Sequence, residues 1–229
     1  TQSRSSAASD VYKRQPIDFI SPSPAEYFEE LNINWINQSG INSEELKRFK
    51  EVSWFDRHGT PNTTHPSPEG FWQKTAERIF YLQAYIKQNN LNEIFHFEND
   101  VLLYDSINEI QTTDKLTVTP MSSSHTTFAF TFIPTAEEIT KLCCFFNNAL
   151  SFGENNLLSL GYDHISEMSL LNMSLKNNLV SVFPVVPAED QKYVFDPGSY
   201  GQHLGGTNNG HAEGFIAVSY THLRAHETK

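Results

Sequence analysis

Asn89-Asn-Leu-Asn-Glu-Ile-Phe-His-Phe-Glu-Asn-Asp-Val-Leu-Leu-Tyr104 is the stretch on which the reading of the fold turns. Asn89 and Asn90 are helix-stopping residues, Ile94–Phe97 is a short apolar run of strand length, and the acidic triplet Glu98-Asn99-Asp100 follows at once. Side chains two apart on an extended chain point the same way, so Glu98 and Asp100 can converge on one cation. In open α/β sheets, ligands sit beyond the carboxyl ends of strands, which is where this triplet falls. The same acid-x-acid pattern also suits an ordinary solvated turn.

Upstream, Ser67 and Pro68 open a helical pattern in which Trp72, Ala76, Ile79, Phe80, Leu82 and Ile86 recur on one face as far as Asn89. Before it, Ser23-Pro24-Ala25-Glu26 reads as a capping box that opens a short helix with Tyr27, Phe28 and Leu31. An Asn-rich loop, a second short helix over residues 43–52 and a Gly-, Pro-, Thr- and His-rich loop over 54–68 follow. Downstream, residues 116–119 and the aromatic, β-branched run 127–133 are expected as strands. Thr135-Ala-Glu-Glu138 is expected to cap a helix that buries Ile139, Leu142, Cys143 and Phe146, and Asp163 to cap another carrying Met168, Leu171 and Leu175. Residues 180–186 read as a strand, and 195–206 as a short Gly-punctuated element. Strands alternating with helices predict an α/β layered sheet flanked by helices.

The two ends read differently from the middle. Residues 5–15 and 218–228 resemble in-frame translations of sequencing-library adapters, so 1–15 and 218–229 are expected to be non-native tails around an internal, metagenomic-type piece, 16–217. The whole chain carries 16 Lys+Arg against 27 Asp+Glu, net −11. Removing Arg4, Lys13, Arg14, Arg224 and Lys229 together with Asp10 and Glu227 leaves 11 basic and 25 acidic residues, net −14. So acidic a surface repels phosphate backbones and argues against nucleic acid as a partner. A nucleotide held by a bound cation remains compatible with it. Cys143 and Cys144 are adjacent, which suits neither a disulfide framework nor a zinc site. No apolar run is long enough to span a bilayer, and the expectation is a soluble, cytoplasmic domain. Asn37-Gln-Ser, Asn62-Thr-Thr and Asn172-Met-Ser fit the glycosylation triplet, as chance allows in so Asn-rich a chain.

Phe71-Trp-Gln-Lys-Thr-Ala-Glu-Arg-Ile-Phe-Tyr-Leu82, followed by the stretch quoted first, resembles GT-A-fold glycosyltransferases and glycosyltransferase-like proteins, as does Phe195-Asp-Pro-Gly-Ser-Tyr-Gly-Gln-His-Leu-Gly-Gly-Thr207. The resemblance spans about residues 50–217 and implies a GT-A-like domain, incomplete at both ends, whose first sugar-nucleotide-binding strands are missing. In that fold a helix leads into a strand ending in a D-x-D-type motif, here Glu98-Asn99-Asp100. It implies Mn2+ or Mg2+ on Asp100 and Glu98, Asn99 touching the donor, a nucleotide-sugar donor, and a glycan or other hydroxyl acceptor. An inverting transfer needs a carboxylate base, and Glu167 in His164-Ile-Ser-Glu-Met-Ser is the candidate, or else a first-turn glutamate favoured by the helix dipole. Arg78 is expected either near the phosphates or in an ion pair, and Gln202 and His203 either on the substrate or in a helix stop at Gly205-Gly206. Trp54 and Tyr200 are read as cleft-lining or core aromatics. The alternatives are a non-catalytic carbohydrate-binding relative and a metallohydrolase built from His58, His65, His96 and Asp100; the latter lacks compact H-x-x-x-H spacing.

Overall fold

A computed structural model describes residues 17–26, 28–30, 33–55, 69–98, 101, 106–185 and 192–195. These residues form a mixed α/β structure with two sheets and five α-helices. Strands β1 (Ile17–Ser21) and β2 (Ile33–Asn37) pair in parallel as a small sheet of their own. Helix α1 (Glu44–Lys50) follows, capped by the Ser43 side chain accepting from Leu46 N–H, with Glu44 and Glu45 at its positive end. Helix α2 (Phe71–Asn89) starts after Gly70 and ends at Asn90, which takes the left-handed conformation (φ 52°) that asparagine tolerates. It leads into β3 (Ile94–Phe97), then β4 (Thr117–Pro120) and β5 (Thr126–Ile133). Three helices, α3 (Ala136–Ser151), α4 (Glu154–Leu158) and α5 (Glu167–Lys176), precede the short β6 (Ser181–Val182).

The larger sheet has the order β3-β5-β4-β6, with β5 antiparallel to both its neighbours and β6 parallel to β4. Register shifts within β5: Thr119 lies opposite Thr127, but Thr117 lies opposite Phe132. The extra β5 residues form a bulge. Phe128 and Ile133 join the core under the helices, while Phe130 and Phe132 meet Phe95, Phe97 and Phe183 on the opposite side. In the helix-side core, Phe80 is fully buried, stacked on Phe49 at 4.4 Å and edge-on to Phe146 at 6.4 Å. Burying one such ring contributes about 1.5–3 kcal/mol.

Several expectations hold at residue level. Helix α2 stops at Asn89, β3 is as read, and Thr135 caps α3 by accepting from Glu138 N–H, with Ile139, Leu142, Cys143 and Phe146 buried. Others are corrected. Glu26 and residues 28–30 form turns closed by Phe28 N–H to Ala25 O at 3.1 Å, so no helix follows Ser23 among the described residues there. The cap of α5 is Ser166, paired reciprocally with Ser169, and Asp163 is an exposed bend residue three positions earlier. Serine fits because its short hydroxyl reaches the N3 amide from the extended cap position. Asn172 is buried, accepting from Tyr162 Oη (3.0 Å) and donating to Thr126 Oγ1 (3.4 Å), so its glycosylation triplet is consumed by packing. Among the described residues, no helix is long and apolar enough to cross a membrane.

In denaturant unfolding, Phe80→Ala is expected to destabilise the protein by about 3–5 kcal/mol through the cavity it leaves. Phe152→Ala, at a ring 66% exposed, should change stability by no more than about 0.5 kcal/mol.

Candidate functional site

Three residues singled out separately in the sequence meet at one guanidinium nitrogen. Arg78 Nη2 lies 2.6 Å from Glu98 Oε1 and 3.1 and 3.2 Å from the two oxygens of Glu167. Each arrives by a different local rule. Arg78 is on α2, one and two turns beyond Thr75 and Trp72, while Ala76, Ile79, Phe80 and Gln83 anchor the helix in the core. Glu98 directly follows β3, its N–H donating to Ala129 O at 2.9 Å beside the β5 bulge. Glu167 is the first residue of α5, and the buried Tyr162–Asn172–Thr126 chain of hydrogen bonds ties that helix to β5. Glu77, the sequence neighbour of Arg78, is spent on Lys50 at 2.9 Å.

The electrostatics follow from burial. The Glu167 side chain is only 3% exposed, against 25% for Glu98 and 33% for Arg78. The Glu167 carboxyl is raised to about 6: burial pushes it up most, Arg78 pulls part of that back, and the nearby Glu98 charge adds to the rise. Burial also works against the Arg78 cation, but Glu167 and then Glu98 outweigh it, and the guanidinium is held more firmly protonated than usual. Thus one positive charge is shared by two carboxylates, and the deeper one is left under-neutralised. The Thr75 hydroxyl has two acceptors in reach, the Trp72 carbonyl at 3.0 Å and Glu167, and its one proton serves one at a time. His96, two residues before Glu98, is driven down to about 3 by burial and then by the Arg78 charge, so it is a neutral imidazole. Its ring packs on Phe128 with centroids 5.1 Å apart.

A carboxyl group titrating near neutrality can take or give a proton where an ordinary glutamate is already spent. Asn99, Asp100, Gln202 and His203 lie outside the described residues, as do Tyr200, His58 and His65. Trp54 is half-buried against the core. Among the described residues, no three His, Cys, Asp or Glu side chains form a group able to hold a metal ion. Thr75 and the influence of the Arg78 charge on His96 were not anticipated from the sequence. The available signals were helical spacing from Arg78 and the shared strand face of His96 and Glu98. An open groove of about 960 Å³ beside β1 and β2, lined by Asp18, Trp35 and Tyr85 among others, lies elsewhere. There Asp18 is satisfied by Asn34 (3.1 Å) and Tyr85 (2.8 Å). Comparison with protein-family models, curated proteins and solved structures gives no match, so the geometry of this cluster carries the functional argument.

The raised Glu167 value has a thermodynamic consequence. The folded state holds this proton more tightly than the unfolded chain, whose carboxyl sits near 4.5. The stability supplied by the proton is therefore present below 4.5 and lost as pH rises through about 6. Comparing denaturant unfolding of the wild type and Glu167→Gln across that window should show the wild type losing about 2 kcal/mol relative to the variant. Parallel pH profiles would contradict the assignment.

Proposed function

We propose that this chain carries part of a glycosyltransferase site of GT-A type, which transfers a sugar from a nucleotide-sugar donor to a hydroxyl acceptor. The observation that carries the reading is the buried Glu167, raised to about 6 and held by Arg78 opposite Glu98 at the end of β3. Deprotonated, Glu167 is suited to take the acceptor's hydroxyl proton while its orientation is fixed by the guanidinium. Arg78 spends Nη2 on the carboxylates and keeps the rest of its donor fork for a phosphoryl oxygen. The order of helix, strand and acidic triplet also agrees with the resemblance of residues 71–104 to that family.

Glu98 brings a hard carboxylate oxygen to the strand end, a donor type suited to Mn2+ or Mg2+, although Oε1 is already on Arg78. A second cation beside a guanidinium needs further negative charge, which Asp100 would bring. Held there by Glu98 and Asp100, the metal would offset charge on a departing nucleoside diphosphate. The engagement of Glu98 with Arg78 also favours a second reading, a carbohydrate-binding relative in which Arg78 is the permanent counter-ion and no metal is used.

The two readings part in a nucleotide-sugar turnover panel with Mn2+, run on the chain extended upstream by the first sugar-nucleotide-binding strands that the resemblance implies. The transferase reading expects turnover that disappears on chelation and in Asp100→Ala, and falls about 100- to 10,000-fold in Glu167→Gln with KM little changed. Glycan binding indifferent to nucleotide and metal, with no turnover, selects the second reading.

A further inference from the structure

Among the described residues, strand β2 pairs with β1 alone, so this two-stranded parallel sheet keeps an uncovered edge. Two strands by themselves are marginal in water, and a row of unpaired N–H and C=O groups is a template for another chain. The groove of about 960 Å³ follows that edge. Four consecutive β2 residues, 33–36, line it, although neighbours on a strand point to opposite faces. A groove over one face would take every second residue, and one that takes all four runs along the side of the strand. Ile33 N–H is already given to Phe28 O at 2.9 Å, which leaves 34–36 as the open length. Aromatic rings flank it on both faces: the Tyr85 hydroxyl donates to Asp18 at 2.8 Å, and Trp35 Nε1 donates to Ser21 O at 3.3 Å. The lining also carries Asp18, Glu26 and Glu29, with no lysine, arginine or histidine.

We propose that the free edge of β2 is a docking site for an extended, lysine- or arginine-bearing segment of a partner protein, added as a third strand. Backbone pairing along 34–36 supplies the attachment, and cations on the segment meet Asp18, Glu26 and Glu29 between the rings of Trp35 and Tyr85. Charge selects this occupant. A second copy of the chain, net −11, would bring negative charge to a negative groove. The site stands apart from the Arg78 cluster and does not depend on the transferase reading.

The test is fluorescence anisotropy of a labelled hexapeptide of alternating lysine and valine, titrated with the full chain at low salt. Two further probes carry glutamate in place of lysine, or a methyl group on every backbone nitrogen. Saturable binding is expected for the first peptide only. Its affinity should fall about fivefold or more in the double variant Glu26→Gln, Glu29→Gln. The double variant Glu137→Gln, Glu154→Gln removes two exposed carboxylates from α3 and α4, outside the groove, and should stay within about twofold of the wild type. All four substitutions are at exposed positions, and thermal melting checks that both variants are folded. No saturable binding overturns the proposal. Equal binding of the methylated peptide, or equal loss in the two double variants, means attraction to acidic surface without strand addition and overturns it too. A chain that sediments as a dimer which the peptide cannot displace assigns the edge to a second copy, against the proposal.

Discussion

Arg78 Nη2 is one nitrogen shared by two carboxylates, and the distances of 2.6 Å to Glu98 and 3.1 Å to Glu167 join three elements that are remote in sequence. Taking ions out of water is costly, and one cation can neutralise only one of two anions. The less exposed carboxylate bears the shortfall, so Glu167 holds its proton to about 6. The cluster therefore adds little net stability. Removing Arg78 alone would leave two carboxylates facing one another, a change of the kind that costs about 3–5 kcal/mol.

The fold is arranged to hold that nitrogen still. Helix α2 is fixed by its buried face against Phe49 and Phe146, and the aromatic core sits directly behind the residues that carry charge. Helix α5 is fixed at its start by the Ser166–Ser169 capping box and along its length by the buried Asn172. The β5 bulge lets one strand feed both cores and lies where Glu98 leaves the sheet. Rigid supports of this kind let a site keep a charge arrangement that solvent would otherwise relax.

Much of this was legible in the sequence wherever a strong local rule applied. The stripe from Trp72 to Ile86, the apolar run Ile94–Phe97 and the Thr135 cap are each written in a few neighbouring residues, and the structure follows them. Strands β1 and β2 were missed because INWIN is Asn-bearing, short and stabilised by a parallel partner sixteen residues away. Helix α4, with sequence ENNLL, is too short to show a period. Asp163 and Ser166 both fit a cap, and only the path of the chain selects the serine. In the site, Arg78, Glu98 and Glu167 each stood out alone. Their convergence is a contact across 89 residues between Arg78 and Glu167, which no local pattern encodes. Asn99, Asp100, Gln202 and His203 belong to the transferase reading through resemblance, outside the described residues.

The central claim is that Arg78 holds a buried, under-neutralised carboxyl group at Glu167. Its most direct measurement is a pH titration of the Glu167 side-chain carboxyl carbon by 13C NMR, in the wild type and in Arg78→Met. The account predicts a midpoint near 6 in the wild type, moving further upward once the guanidinium is gone. A midpoint near 4.5, the ordinary value, or one that does not move in Arg78→Met, would contradict it.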